Sequence, residues 1–293
     1  MSFVKSNWFK WAFGGIGATL IGCLIAYLMA DSPNVTVQID TEELVKKLAP
    51  LISSQEILQN HSDEIRKLTD TVNRLISDKD NPKKQTALSA LEKGDSVTAI
   101  KLLEDNVRAY TDKGGISPKE LAVEWIDFGN IARLDNFQKA LDAFQKAAQI
   151  DPSNASAWND SGIALSKLGR PDEAMEAFKE ALERTESPER QAGIYNNIGT
   201  LYRKKGKWDI AMEHFQKAYD LSKSYDLGES LAVSVGNLGI IYKNKGEPDR
   251  AMEMYEQAFA INKSIGRKEG MAVNIGNAGI LYAKWGEWDK AMN

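Results

Sequence analysis

The stretch "GNLGIIYKNKGEPDRAMEMYEQAF", Gly236 to Phe259, sets small and aromatic residues at intervals that recur elsewhere in the chain. Gly239, Tyr242, Gly246, Ala251, Tyr255 and Ala258 are its fixed points. Aligned on Gly239, it has counterparts in "WNDSGIAL" at Gly162, "YNNIGTLY" at Gly199 and "GNAGILY" at Gly279, whose glycines stand 37, 40 and 40 residues apart. An earlier copy, "WIDFGNIA" at Gly129, has a turn one residue shorter, and its "ALDAFQKAAQIDP" matches "AMEAFKEAL" across 34 residues, from Ala140 to Ala174. A fixed period of this length marks an array in which one supersecondary unit is stacked repeatedly.

The pattern has a physical reason. Glycine and alanine at a crossing let helix A and helix B of a unit approach closely, while tyrosine and phenylalanine fill the space above and below the contact. One unit alone leaves a face uncovered, so units stack and create a concave side. The pattern resembles the tetratricopeptide repeat (TPR), a helix-turn-helix unit of about 34 residues, from Leu121 to Asn293. With each glycine counted as position 8, the family's small and aromatic positions fall on Trp158, Gly162, Leu165, Ala174, Phe178 and Ala181, then on Tyr195, Gly199, Tyr202, Ala211, Phe215 and Ala218. The 40-residue spacing, with "SIGRKEG" between units, resembles the subclass of kinesin light chains and spindle-orientation adaptors. The resemblance implies an all-α solenoid of helix-turn-helix units wound into a superhelix, with residues 121–293 as the array. Within 85–120, "TALSALEKGDSVTAIKLL" keeps Gly94 and Ala99 without the aromatics and reads as a degenerate first repeat or cap. The sequence stops at "WDKAMN", inside an expected helix B, so the last repeat is incomplete and the array is expected to continue.

The N-terminal region differs in kind. "WAFGGIGATLIGCLIAYLMA", residues 11–30, carries no charge, and 20 residues of helix rise about 30 Å, the thickness of bilayer hydrocarbon. Trp8, Phe9, Trp11 and Tyr27 flank it as interfacial aromatics do. The expectation is a retained single-pass anchor; a cleaved signal and a lipoprotein signal at "LIGC", ending on Cys23, are the alternatives. Lys5 and Lys10 precede the span while Asp31, Asp40, Glu42 and Glu43 follow it, which favours a cytoplasmic N-terminus with the repeats on the far side. Residues 31–84 form a stalk. Its segment 51–76 carries apolar residues at 3-4 spacing through Leu51, Leu58, Ile65, Leu68, Val72 and Leu75. That seam fits either a short coiled coil joining two copies or a helix lying on the next domain. "SDKDNPKK", Ser77 to Lys84, is wholly polar, contains Pro82, and reads as a linker or hinge.

Composition narrows the function. A net charge of −4 argues against a nucleic-acid partner, which calls for a basic surplus. One cysteine and two histidines, His61 and His214, offer no cluster with metal-ligand spacing, and no cofactor is expected. His214 reads as a surface residue. No base-and-orienter arrangement or phosphate-cradling loop is present, so an enzyme is not expected.

The concave face is where a partner could bind. At about 100° per residue, position 6 lies roughly 160° from the position 8 glycine and points into that face. It reads Asp127, Asp160, Asn197, Asn237 and Asn277. Positions 2, 9 and 13 fall on the same arc and supply Val233 and Val273, then Thr200, Ile240 and Ile280, then Lys204 and Lys284. In the resembled subclass, asparagines at position 6 hydrogen-bond the backbone of an extended peptide. That role carries over to Asn197, Asn237 and Asn277; Asp127 and Asp160 depart from it. The other reading is that these asparagines bond to the adjacent helix A, and that the lysines serve helix C-termini. The expected function is a membrane-anchored scaffold holding an extended peptide of a partner protein, with self-association through the stalk. The alternative is the docking portion of a larger enzyme or effector whose active domain lies beyond residue 293.

Overall fold

The computed structural model describes residues 67–284, apart from 69, 93 and 94. The expected membrane span at 11–30, Cys23, His61, the seam before residue 67 and residues 285–293 lie outside the described residues. Among the described residues there are twelve helices and no strand. They are α1 (70–77), α2 (Pro82–Glu92), α3 (Ser96–Lys113), α4 (Pro118–Ala132), α5 (Phe137–Ile150) and α6 (Ala155–Lys167). Then follow α7 (Pro171–Glu183), α8 (Pro188–Lys204), α9 (Trp208–Ser224), α10 (Gly228–Asn244), α11 (Pro248–Ser264) and α12 (Lys268–Lys284). They divide into two compact units, one reaching Ala164 and the other beginning at Leu165. No described helix is long and apolar enough to cross a membrane.

Local chemistry sets the helix boundaries. Ser117 and Glu120 close a capping box at the start of α4, with Pro118 in its first turn, where a proline's missing N–H costs nothing. Pro171, Pro188 and Pro248 open α7, α8 and α11 in the same way. Gly246 of the opening stretch ends α10 with φ +80°, a backbone region that most side chains resist.

The glycine and aromatic spacing that decides the fold is a direct contact. A Cβ on Gly129 would lie 2.4 Å from the Phe144 ring, one on Gly199 2.6 Å from Phe215, and one on Gly239 2.6 Å from Tyr255. In these three hairpins, therefore, helix A lays bare backbone against an aromatic ring of helix B. Around Phe215 gather Ala211, Leu238 and Ile241, with Tyr202, Trp208 and Tyr242 against them. Around Tyr255 gather Ile240, Ala251, Met252 and Leu281. Helix A of one hairpin thus covers what the preceding hairpin leaves open.

In the first unit two stretches of the expected stalk take definite places. Val72 and Leu75, the last two seam positions, are 1% and 2% exposed within the single chain, as the reading of a helix lying on the next domain expects, while Leu68 is half-buried. The polar stretch 77–84 is also more than a hinge: a turn occupies 78–81 and α2 begins at Pro82. That turn is tied on both sides. Asn81 Nδ2 donates to Asn106 Oδ1 and to the Tyr110 hydroxyl at 3.0 and 3.1 Å. Gln85 Nε2 donates to the carbonyls of Leu75 and Asp78 at 3.1 and 2.9 Å. Composition alone could not distinguish solvated polar residues from polar residues that satisfy one another.

Candidate functional site

In the second unit the expected groove residues lie on the A helices α8, α10 and α12, at different depths. On α8, Asn197 and Thr200 are half-buried and Lys204 is exposed. On α10, Asn237 is 4% exposed, and its Nδ2 donates to Asn196 Oδ1 of α8 at 3.5 Å, the long limit of a hydrogen bond. Val233 is half-buried. Ile240 is not a floor residue: it packs in the cluster with Tyr255 and Leu281. On α12, Asn277 is 3% and Val273 4% exposed, so both are interior, while Ile280 is half-buried. Lys284 ends α12, and its side chain lies outside the described residues. The row is thus graded. Asn237 follows the helix-to-helix reading, and the accessible stripe is Asn197, Thr200 and Lys204, spaced i, i+3, i+7 on one face of α8.

The first unit explains why position 6 is acidic there. Asp127 Oδ1 of α4 accepts from Thr71 Oγ1 at 2.9 Å and from Arg74 Nη2, and its Oδ2 accepts from Arg74 Nε at 2.8 Å. This is a two-pronged guanidinium–carboxylate pair, the strong form of such contacts. Asn130 Nδ2 donates to Thr71 Oγ1 at 3.1 Å, so the threonine links Asp127 to the next turn of α4. Asp160 of α6 is paired with Lys67 Nζ. Lys84 of α2 reaches Glu124, one turn before Asp127, at 2.6 Å and Asp78 at 2.9 Å. The Arg74 pKa is raised, chiefly by its hydrogen bond to Asp127. Burial opposes charge on Lys84, but its bonds to Glu124 and Asp78 prevail and its pKa is raised. Burial pushes the Glu124 carboxyl up, although Lys84 pulls the other way. The acidic row is therefore occupied, by residues 67–84 of the same chain.

Sequence reading kept the two halves of this contact apart. Lys67, Thr71 and Arg74 stood at i, i+4, i+7, one helical stripe, and Asp127 and Asp160 were the two departures from asparagine. The signal was there in complementary charge, but no periodicity joins residue 74 to residue 127. His214 is also repositioned. It is half-buried on α9 and stacked on Tyr202 of α8 with ring centroids 5.4 Å apart. Among the described residues no group of histidine, cysteine and carboxylate side chains could hold a metal ion.

Comparison with known proteins agrees with this geometry. Profiles of the tetratricopeptide repeat match residues 133–198 and 190–264. A putative kinesin light chain from Podospora anserina, with nearly identical TPR-like repeats, superposes with a TM-score of 0.51 at 20% identity, covering 67% of this chain and 98% of that one. BtubC (BKLC) from P. vanneervenii gives 0.50 at 20% identity, covering 73% and 93%. MamA from Desulfovibrio magneticus RS-1 gives 0.46 at 21% identity, covering 62% and 94%. No curated protein matches the chain. The first two likenesses share the fold, and the profiles identify tetratricopeptide repeats within residues 133–264.

Proposed function

We propose that this tetratricopeptide-repeat protein is a membrane-anchored scaffold that holds an extended segment of a partner protein along the A helices of its second unit. The repeat fold is suited to protein–protein interaction, because stacked hairpins present one residue per repeat at regular intervals. The observation that carries the finer reading is the α8 stripe. Asn197 and Thr200 are half-buried and Lys204 is exposed on one helical face, in reach of a chain lying across α8. An amide can both donate to and accept from a peptide backbone, which holds a chain without dictating its sequence. Val233 and Ile280, half-buried on α10 and α12, would supply apolar selectivity. The anchor is residues 11–30, with the N-terminus cytoplasmic and the repeats on the other side.

Crosslinking mass spectrometry on the full chain in its native membrane tests the reading. Lys204 is expected to crosslink to one contiguous segment of one other protein. Crosslinks from the exposed Lys179 and Lys263 without any intermolecular crosslink at Lys204 would count against it. Alkaline carbonate extraction tests the anchor: the intact chain should stay with the membrane, and its release would exclude a spanning segment.

A further inference from the structure

Along one edge of the second unit, the loops α7–α8, α9–α10 and α11–α12 carry each B helix into the next A helix. Thr185, Tyr225 and Ile265 each stand three residues before an A helix, which begins at Pro188, Gly228 or Lys268. Thr185 is 7% exposed, and its hydroxyl accepts from the Ser187 N–H at 3.2 Å. In the next two loops the same place holds a large apolar group turned outward: Tyr225 is 59% and Ile265 45% exposed. The two loops adjoin, because a Cβ on Gly228 would lie 2.9 Å from Ile265 Cγ2. Exposed apolar groups gathered on neighbouring loops mark a contact with another molecule.

We propose that this edge joins two copies of the chain, antiparallel about a twofold axis at Tyr225. The charges select that occupant. Around the α7–α8 loop stand three carboxylates, Glu183, Glu186 and Glu189, against Arg184 and Arg190, and Arg184 is already paired with Glu180. Around the α11–α12 loop stand three cations, Lys263, Arg267 and Lys268, against Glu269, and Arg267 pairs with Glu229 of the α9–α10 segment. Between these ends Lys223 and Asp226, both exposed, flank Tyr225. A twofold interface sets one surface against itself. With the axis at the middle loop, the acidic end of each copy meets the basic end of the other, and each Lys223 meets an Asp226 across the axis. A parallel order would set like charges together. An anionic surface would be repelled by the first loop and a basic one by the last. Exposed ion pairs contribute little individually, so the apolar centre supplies the affinity and the charges fix the direction. A patch this small belongs to the weak, reversible class of interfaces. The contact uses none of the α8 stripe, so it is independent of the peptide site.

The test is site-directed crosslinking of the full chain in detergent micelles, in a Cys23→Ser background that removes its single cysteine. Ser224→Cys, exposed beside Tyr225, should form a dimer with a short bismaleimide. Ser264→Cys, exposed beside Ile265, should not, because the antiparallel order carries residue 264 away from the axis. Tyr225→Ser with Ile265→Ser removes the apolar centre and should lower the Ser224→Cys dimer yield about tenfold. Charge reversal then tests the order. Glu183→Lys with Glu186→Lys makes one variant and Lys263→Glu with Lys268→Glu another; all four positions are exposed, so both should keep wild-type helicity. Each alone should lose the Ser224→Cys dimer, and an equal mixture of the two should regain it as a mixed pair. If Ser224→Cys gives no dimer, or Ser264→Cys crosslinks as well as Ser224→Cys, the proposal fails. A mixture that crosslinks no better than either variant alone also overturns it.

Discussion

Replacing Gly239 with alanine adds a single methyl group at the contact that defines the fold. That carbon would lie 2.6 and 2.8 Å from two ring carbons of Tyr255 and 3.2 Å from Met254 Cβ. Ordinary carbon contacts sit at about 3.5–4.0 Å, so the ring would have to retreat by roughly 1 Å. It has little room, because Tyr255 is fully buried in the cluster with Ile240, Ala251 and Leu281. Overpacking of this kind costs about 1–3 kcal/mol, partly offset by the roughly 1 kcal/mol that alanine gains over glycine inside a helix. A ring retreat of roughly 1 Å in a filled cluster belongs in the upper half of that range, about 2–3 kcal/mol, so the expected net loss is about 1–2 kcal/mol, a fall in Tm of roughly 2–8 °C for an array of this size. Gly193 of α8 supplies the control, since a Cβ there meets nothing within 4 Å. Gly193→Ala should stabilise by about 0.5–1 kcal/mol. Calorimetry or urea denaturation of the full chain reads both variants. The same chemical change must move stability in opposite directions at the two sites; if Gly239→Ala is as stable as wild type, close glycine–ring packing is not what joins helix A to helix B.

Further outcomes follow from other particular residues. Asp226 has φ +53° where the next repeat has Gly266 at +72°; Asp226→Gly should raise stability by up to about 1 kcal/mol, measured by thermal denaturation. Lys84→Ala strips the buried partner from Glu124 and should cost about 2 kcal/mol, whereas Lys139→Ala, in an exposed pair with Glu104, should cost less than about 1 kcal/mol. The His214 pKa is lowered, chiefly by burial and then by Lys217. Because the folded value lies below the unfolded one, the neutral ring's contribution is complete above about pH 6.5 and is lost as the pH falls through the folded value. His214→Phe should therefore lose less stability than wild type between about pH 7 and pH 5, and an equal loss in both would show that the stacked histidine does not titrate in that range.

The hairpins were legible because their cause is local. Gly239 and Tyr255 lie 16 residues apart in adjacent helices, so the spacing of small and aromatic residues carries the contact itself. Pro171, Pro188 and Pro248 likewise announce helix starts that the structure uses. Depth within the array was less legible. Helical angle places Ile240 and Asn237 on the arc of a groove, but the stacking of α10 between its neighbours turns Ile240 into core and Asn237 toward Asn196. Burial there depends on the neighbouring hairpins as well as on the phase of one helix. Least legible was the occupied first unit. The pairing of Arg74 with Asp127 spans 53 residues, and two residues that far apart share no period. Their complementary charges could have suggested the contact, but only geometry joins them.

The central claim, that the second unit holds a partner's extended segment across α8, is tested most directly by calorimetric titration of the full chain with a synthetic peptide of the segment crosslinked at Lys204. Wild type is compared with Asn197→Ala combined with Lys204→Ala, two exposed or half-buried substitutions that leave the glycine–aromatic contacts untouched. Each lost hydrogen bond is worth about 1 kcal/mol, and a charged one somewhat more, so the variant should bind at least tenfold more weakly while keeping wild-type helicity. An unchanged affinity in a fully helical variant would contradict the account and assign Asn197 and Lys204 to the packing of the repeats alone.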